Sequence, residues 1–194
     1  ALTKRVTVPI SIDTCKADVA KRALDAGASM VNDISGLRFD PEMAKTVATH
    51  HVPVVVMHIR GTPKCMQLNP QYEALFPEIM EYLRISIRIA LDAGVNEQRI
   101  IIDPGIGFGK TFEHNLRILN NLREFTLLEK PLLIGPSRKA FIGKILNNAP
   151  TAERLEGTAA AVAISIMNGA HIVRVHDVKE MVKVARVADA IKRG

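Results

Sequence analysis

Residues 101–111 read Ile-Ile-Asp-Pro-Gly-Ile-Gly-Phe-Gly-Lys-Thr. An apolar run that ends on a carboxylate and then breaks into proline and three glycines is the pattern of a buried parallel strand delivering an acid to a pocket floor. Asp103 stands at that hand-over. Gly109-Lys110-Thr111 looks like the end of a phosphate-binding loop, but the first glycine of G-x-x-x-x-G-K-[ST] would fall on Pro104. The dinucleotide pattern G-x-G-x-x-G fails too, because Gly105 and Gly107 require a glycine where Lys110 stands.

The same device recurs on both sides of this stretch. Residues 8–13 form a short apolar strand ending on Asp13, and 16–26 have helical periodicity through Val19, Ala20, Ala23 and Leu24, with Gly27 as C-terminal cap. Residues 29–33 are a second strand and 41–50 its helix. Residues 52–58 are a third strand, whose run of apolar residues fits burial on both faces. From Tyr72 a long amphipathic helix follows, with an interruption expected near Pro77. It ends Ala90-Leu91-Asp92-Ala93-Gly94, echoing Ala23-Leu24-Asp25-Ala26-Gly27. Strand 99–103, helix 112–124, strand 131–135, helices 139–146 and 152–167, strand 171–175 and helix 178–192 complete the chain.

Six successive strand–helix units imply a parallel sheet with right-handed crossovers. An open doubly wound sheet gathers ligand residues at one switch point, whereas a barrel collects them from every strand. Here the strand ends carry Asp13, Asn32, Met57-His58, Asp103, Ser137 to Lys139 and Arg174 to His176, which favours a TIM-type (β/α)8 barrel. Such a barrel takes about 250 residues, and this chain has 194. The expectation is one domain over residues 1–194, holding six of eight units with the first two missing.

At 47% hydrophobic the chain can bury a real core, yet it has no run of eighteen apolar residues and no signal-peptide core. The expected location is cytoplasmic, with no membrane partner and with Cys15 and Cys65 as reduced thiols. The net charge of +6 is spread along the chain, and six Phe and two Tyr leave little to stack on bases. That argues against nucleic acid and suits a small anionic ligand such as a phosphate.

Several segments together resemble the dihydropteroate synthases of folate biosynthesis. They are Ser11-Ile12-Asp13-Thr14, Val31-Asn32-Asp33-Ile34, Val56-Met57-His58 with Gly61-Thr62-Pro63, and Asp103 through Thr111. Further along come Ser137-Arg138-Lys139 with Phe141-Ile142-Gly143, Arg154-Leu155-Glu156-Gly157-Thr158, and Arg174-Val175-His176-Asp177-Val178. They cover nearly the whole chain in family order. The resemblance implies condensation of 6-hydroxymethyl-7,8-dihydropterin pyrophosphate with p-aminobenzoate, a sulfonamide-sensitive step, in an enzyme that is usually a homodimer.

It also implies site roles. Asp13, Asn32, Asp103 and Lys139 would bind the pterin, floored by Met57, Ile34 and Gly135, with Arg174 stacked on the ring. Arg174 and His176 would face the pyrophosphate, and Ser137, Arg138, Lys139, Phe108, Thr62 and Pro63 the p-aminobenzoate. Asp103, Lys139, Arg174 and His176 carry the catalytic roles. The implied cofactor is Mg²⁺, with its protein ligand in an N-terminal segment this chain lacks. Ala140 departs from the hydroxyl residue that many relatives have after Ser-Arg-Lys.

Two other functions compete with this one. A pterin-binding methyltransferase of the same barrel family needs neither the Ser-Arg-Lys turn nor Arg174-Val175-His176, and an incomplete chain would bind pterin without turnover. Ser137 with a distant histidine lacks the G-x-S-x-G elbow of a hydrolase. His58 reads as a loop histidine satisfied within its own loop, and His50, His51, His114 and the charges of 179–193 as helix surface.

Overall fold

In the computed structural model, which describes residues 2–194, six parallel strands alternate with helices. The strands are β1 (Ser11–Asp13), β2 (Met30–Asp33), β3 (Val54–Met57), β4 (Ile100–Asp103), β5 (Leu133–Ile134) and β6 (Ile172–Val173). The first four are followed by α1 (Ala17–Asp25), α2 (Met43–His50), α3 (Leu75–Asp92) and α4 (Phe112–Asn120). Both α5 (Ala140–Ile145) and α6 (Leu155–Met167) lie between β5 and β6, and α7 (Val178–Arg193) ends the chain.

Strands β1 to β4 pair in chain order, as do β5 and β6. A bridge from Ile102 to Leu132, with the Ile102 N–H donating to Pro131 O at 2.9 Å, joins the two ladders. Each strand therefore lies beside its successor, as in a (β/α)8 barrel of TIM type. Asp13 at the tip of β1 pairs with Arg174 just beyond β6, so the first and last strand tips meet. No ladder joins β6 to β1 among the described residues.

The strand alternation separates two apolar regions. Val54, Val56, Ile100, Ile102, Leu132 and Ile134 point to the helices and are buried with Ile79, Leu83, Ile118, Leu122 and Phe125. Val55, Ile101 and Leu133, with Met30 and Ile172 against them, form a separate inner cluster. Register then sets the next layer towards the C-terminal ends, where Met57 lies beside Asp103 and Asp13 beside Asn32. The apolar inner layer thus supports a polar one.

Helix ends follow the expected glycine device. Gly27 N–H donates to Leu24 O and Ala28 N–H to Ala23 O, both at 2.9 Å, and the same pair of bonds recurs at Gly94 and Val95 and again at Gly169 and Ala170. The expected break near Pro77 does not occur. Pro77 is in the first turn of α3, where its missing N–H has no intrahelical partner to lose. The helix expected over 112–124 stops at Asn120, and a 3₁₀ segment (Leu122–Leu128) continues, burying Leu122, Phe125 and Leu128.

Candidate active site

The turn after β4 fixes Asp103. Its Oδ1 accepts the Gly105 N–H at 2.7 Å, and its backbone carbonyl accepts the His58 N–H at 2.9 Å. Gly105 has φ +72°, and a Cβ there would overlap the His58 carbonyl oxygen, so two loops touch backbone to backbone at this glycine. Farther along, Asn115 Oδ1 accepts the Gly107 N–H at 2.7 Å, and the Tyr72 hydroxyl donates to Gly109 O at 2.6 Å. The loop is pinned at each end and presents Phe108.

A cavity of about 240 Å³ opens above Asp103, lined by Met57, Ile106, Phe108, Gly135, Ser137, Lys139, Arg174, Val175 and His176 with Asp103 itself. Asp103 is 6% exposed. Burial raises its carboxyl to about 6, against the pull of the Gly105 N–H and the charges of Lys110, Lys139 and Arg174. Lys139 Nζ stands 4.2 Å from the centre of the Phe108 ring, and burial lowers its pKa. Arg174 donates to Asp13, which brings that carboxylate to the rim.

Ser137 and His176 form a second group. Ser137 Oγ lies 2.9 Å from His176 Nδ1 and accepts the His176 N–H at 3.2 Å. The adjacent acid, Asp177, is committed to the Arg138 guanidinium, so no carboxylate orients His176 as in a hydrolase triad. Arg138 takes φ +57°, with its N–H bonded to Thr158 Oγ1 at 3.0 Å and its carbonyl to Arg154 at 2.9 Å. Its side chain braces the turn, and Lys139 faces the cavity.

The remaining sequence candidates are placed less centrally. Asn32 is buried next to Asp13 in register, and Ile34 is half-buried beyond β2; neither lines the cavity. Thr62 and Pro63 lie on an exposed loop where Thr62 Oγ1 is 3.2 Å from Cys65 Sγ, also outside the lining. A second, more open cavity of about 590 Å³ shares Lys139 with the first and includes Gly107, Lys110, Ala140 and Lys144.

Two histidines differ from the sequence expectation. His58 is 3% exposed and pairs outside its own loop, with Lys110 Nζ at 2.9 Å from its Nδ1 and the Tyr82 ring edge-on at 4.7 Å. Burial, then Lys110, lowers it to about 2, so it is neutral. His114 closes a capping box with Thr111 and packs edge-on against Tyr72. Lys110, considered in the sequence only as part of a phosphate loop, is buried and lowered to about 7 by desolvation. A single lysine in a glycine-rich loop gives no sequence signal of such burial.

No helix among the described residues is long and apolar enough to cross a membrane, and both cysteines are free thiols. Residues 1–176 match the family model described as pterin binding enzyme. The chain is 49% identical to the dihydropteroate synthase of Synechocystis sp. over 193 residues, covering 100% of this chain and 67% of the relative. It is similar to the Yersinia pestis dihydropteroate synthase solved with a sulfonamide drug complex (TM-score 0.95, 39% identity, 99% of this chain, 69% of that one). The Xanthomonas albilineans dihydropteroate synthase solved with 4-aminobenzoic acid is also similar (TM-score 0.92, 36% identity, 100% and 68%). The chain spans about two thirds of the length of the curated relatives it matches. With an acid at the floor of a barrel-end cavity, two cations facing it and this match, the chain belongs to the pterin-binding enzyme family, on its dihydropteroate synthase branch.

Proposed function

We propose that the protein joins 6-hydroxymethyl-7,8-dihydropterin pyrophosphate to p-aminobenzoate, giving 7,8-dihydropteroate and pyrophosphate. The observation that carries this is Asp103, buried at the cavity floor with Lys139 and Arg174 as cationic neighbours. A pterin presents a guanidine-like row of N–H donors that one buried carboxylate grips through paired, charge-assisted bonds. Lys139 donates to the ring carbonyl and Met57 and Gly135 floor the ring, while Asn32 and Ile34, outside the cavity lining, back it from the end of β2.

In the reaction a C–O bond to pyrophosphate breaks and a C–N bond to the aniline nitrogen forms, with the nitrogen's proton passing to solvent. The positive charge left on the pterin is stabilised by Asp103 and Asp13, and the charge on the departing pyrophosphate by Arg174 and His176. Ser137 meets the p-aminobenzoate carboxylate and Phe108 covers its ring, with the turn held in place by the Arg138 pair with Asp177. Thr62 and Pro63, on the exposed loop after β3, would complete the cover of that ring.

Among the described residues no three His, Cys, Asp or Glu side chains converge as a metal cage. These residues do not by themselves form a Mg²⁺ site, so no step here runs through it; a Mg²⁺ ion would supply further positive charge for the leaving pyrophosphate. A homodimer is part of the same reading, supported by an apolar groove of Ala163, Met167, Val184, Val187, Ala188 and Ile191 on α6 and α7. A cytoplasmic location accords with the two free thiols.

Supplying the pterin pyrophosphate, p-aminobenzoate and Mg²⁺ and measuring dihydropteroate tests the proposal. Product that disappears in Asp103→Ala is the expected result. Pterin binding without product from these 194 residues would assign this stretch binding alone, and absence of both would refute the reading. Transfer of a methyl group to a corrinoid in place of condensation would favour the methyltransferase.

A further inference from the structure

Lys110 is a buried lysine at the edge of the second cavity, and the reaction proposed above makes no use of it. It is 3% exposed, and its Nζ is held by His58 Nδ1 at 2.9 Å and Phe108 O at 3.1 Å. These partners come from the loops after β3 and β4, which meet at Gly105, where a Cβ would stand 3.4 Å from Nζ. His58 also donates its backbone N–H to Asp103 O at 2.9 Å, so one residue ties Lys110 to Asp103. Both ring and carbonyl partners of Lys110 are neutral acceptors, and a buried cation persists only where a counter-charge stands close. Asp103 is the carboxylate acting on it.

We propose that Lys110, seated by His58, is a positioning residue that supplies the counter-charge of Asp103 from outside the cavity lining, leaving the carboxylate's open side for the pterin donor edge. The proposal rests on the pterin-binding reading. The charges facing Asp103 are Lys110, Lys139 and Arg174; those facing Lys110 are Asp103 and Lys139; and those around His58 are Lys110, Arg60 and Arg38. Of these, Lys139 and Arg174 line the cavity and are engaged by substrate, whereas Lys110 is outside its lining and borders the neighbouring cavity.

The test is calorimetric binding of 6-hydroxymethylpterin to the 194-residue chain between about pH 5 and 9, for the unmodified chain, Lys110→Met and Lys110→Arg. Affinity is expected to fall on acidification in all three, with the midpoint in Lys110→Met moved up by about one unit or more and returned by Lys110→Arg. An unmoved midpoint with uniformly weaker binding would reduce Lys110 to a packing role and overturn the proposal. A second measurement needs no variant: the ¹³C carboxyl resonance of Asp103 in the ligand-free chain should show a further inflection as Lys110 loses its proton. A flat trace there overturns the proposal as well. If the unmodified chain binds no pterin, the pocket reading fails, while the carboxyl titration still decides the role of Lys110.

Discussion

Asp103 is reactive towards a ligand because water has been removed from it while one N–H and three cations remain in place. Asp103→Asn keeps the shape and removes the charge, so pterin affinity at about pH 8 should fall by about 1–3 kcal/mol, measured by calorimetry. The raised carboxyl pKa has a sign for stability. Between the ordinary 3.8 and about 6 the native state retains a proton that the unfolded chain has lost, so this group's contribution declines as pH rises through that window. Urea unfolding at about pH 4 and about pH 7 should show Asp103→Asn gaining relative to the unmodified chain at the higher pH. Asp103, Lys139 and Arg174 were legible in the sequence because strand ends in a parallel barrel must face the pocket. Lys110 and His58 were not, since their burial depends on a contact between loops 52 residues apart.

At the level of elements, the glycines separate two kinds of constraint. Gly94 has φ +91° and open space for 4 Å around the position a side-chain methyl group would take, so Gly94→Ala should cost only the left-handed backbone, about 1–2 kcal/mol. Gly105→Ala adds a backbone collision and should cost about 3 kcal/mol or more, together with pterin binding. Thermal unfolding of the two variants compares them directly. Phe125 in the 3₁₀ segment after α4 is fully buried against Phe76, with centroids 5.8 Å apart, and Phe125→Ala should cost about 3–5 kcal/mol. The helix caps were readable from the repeated Ala-Leu-Asp-Ala-Gly because one glycine conformation solves one local problem. The change from α to 3₁₀ after Asn120 was not, because residues three apart, such as Leu122, Phe125 and Leu128, share a face in both forms.

On the scale of the whole molecule, the strand order and the inner polar layer followed from six strand–helix repeats, whereas the apolar strip on α6 and α7 required coordinates. Val187 is 61% and Ile191 66% exposed there, more apolar surface than a helix facing only water needs. If the proposed dimer forms through this strip, Ile191→Glu should leave only monomer in sedimentation with the pterin cavity intact, since Ile191 lies on the outer helix and outside its lining.

The ion pair between Asp13 and Arg174 spans 161 positions of sequence. In the proposed reaction each partner is wanted elsewhere, the guanidinium by phosphate and the carboxylate by the developing pterin cation. In the structure the two charges are paired with one another at the rim of the cavity. Arrival of the phosphates would draw the arginine away and expose the carboxylate at the moment the ring begins to need it. Pyrophosphate should therefore tighten the site's hold on a cationic pterin analogue, a thermodynamic coupling between the two halves of one substrate that neither half shows alone.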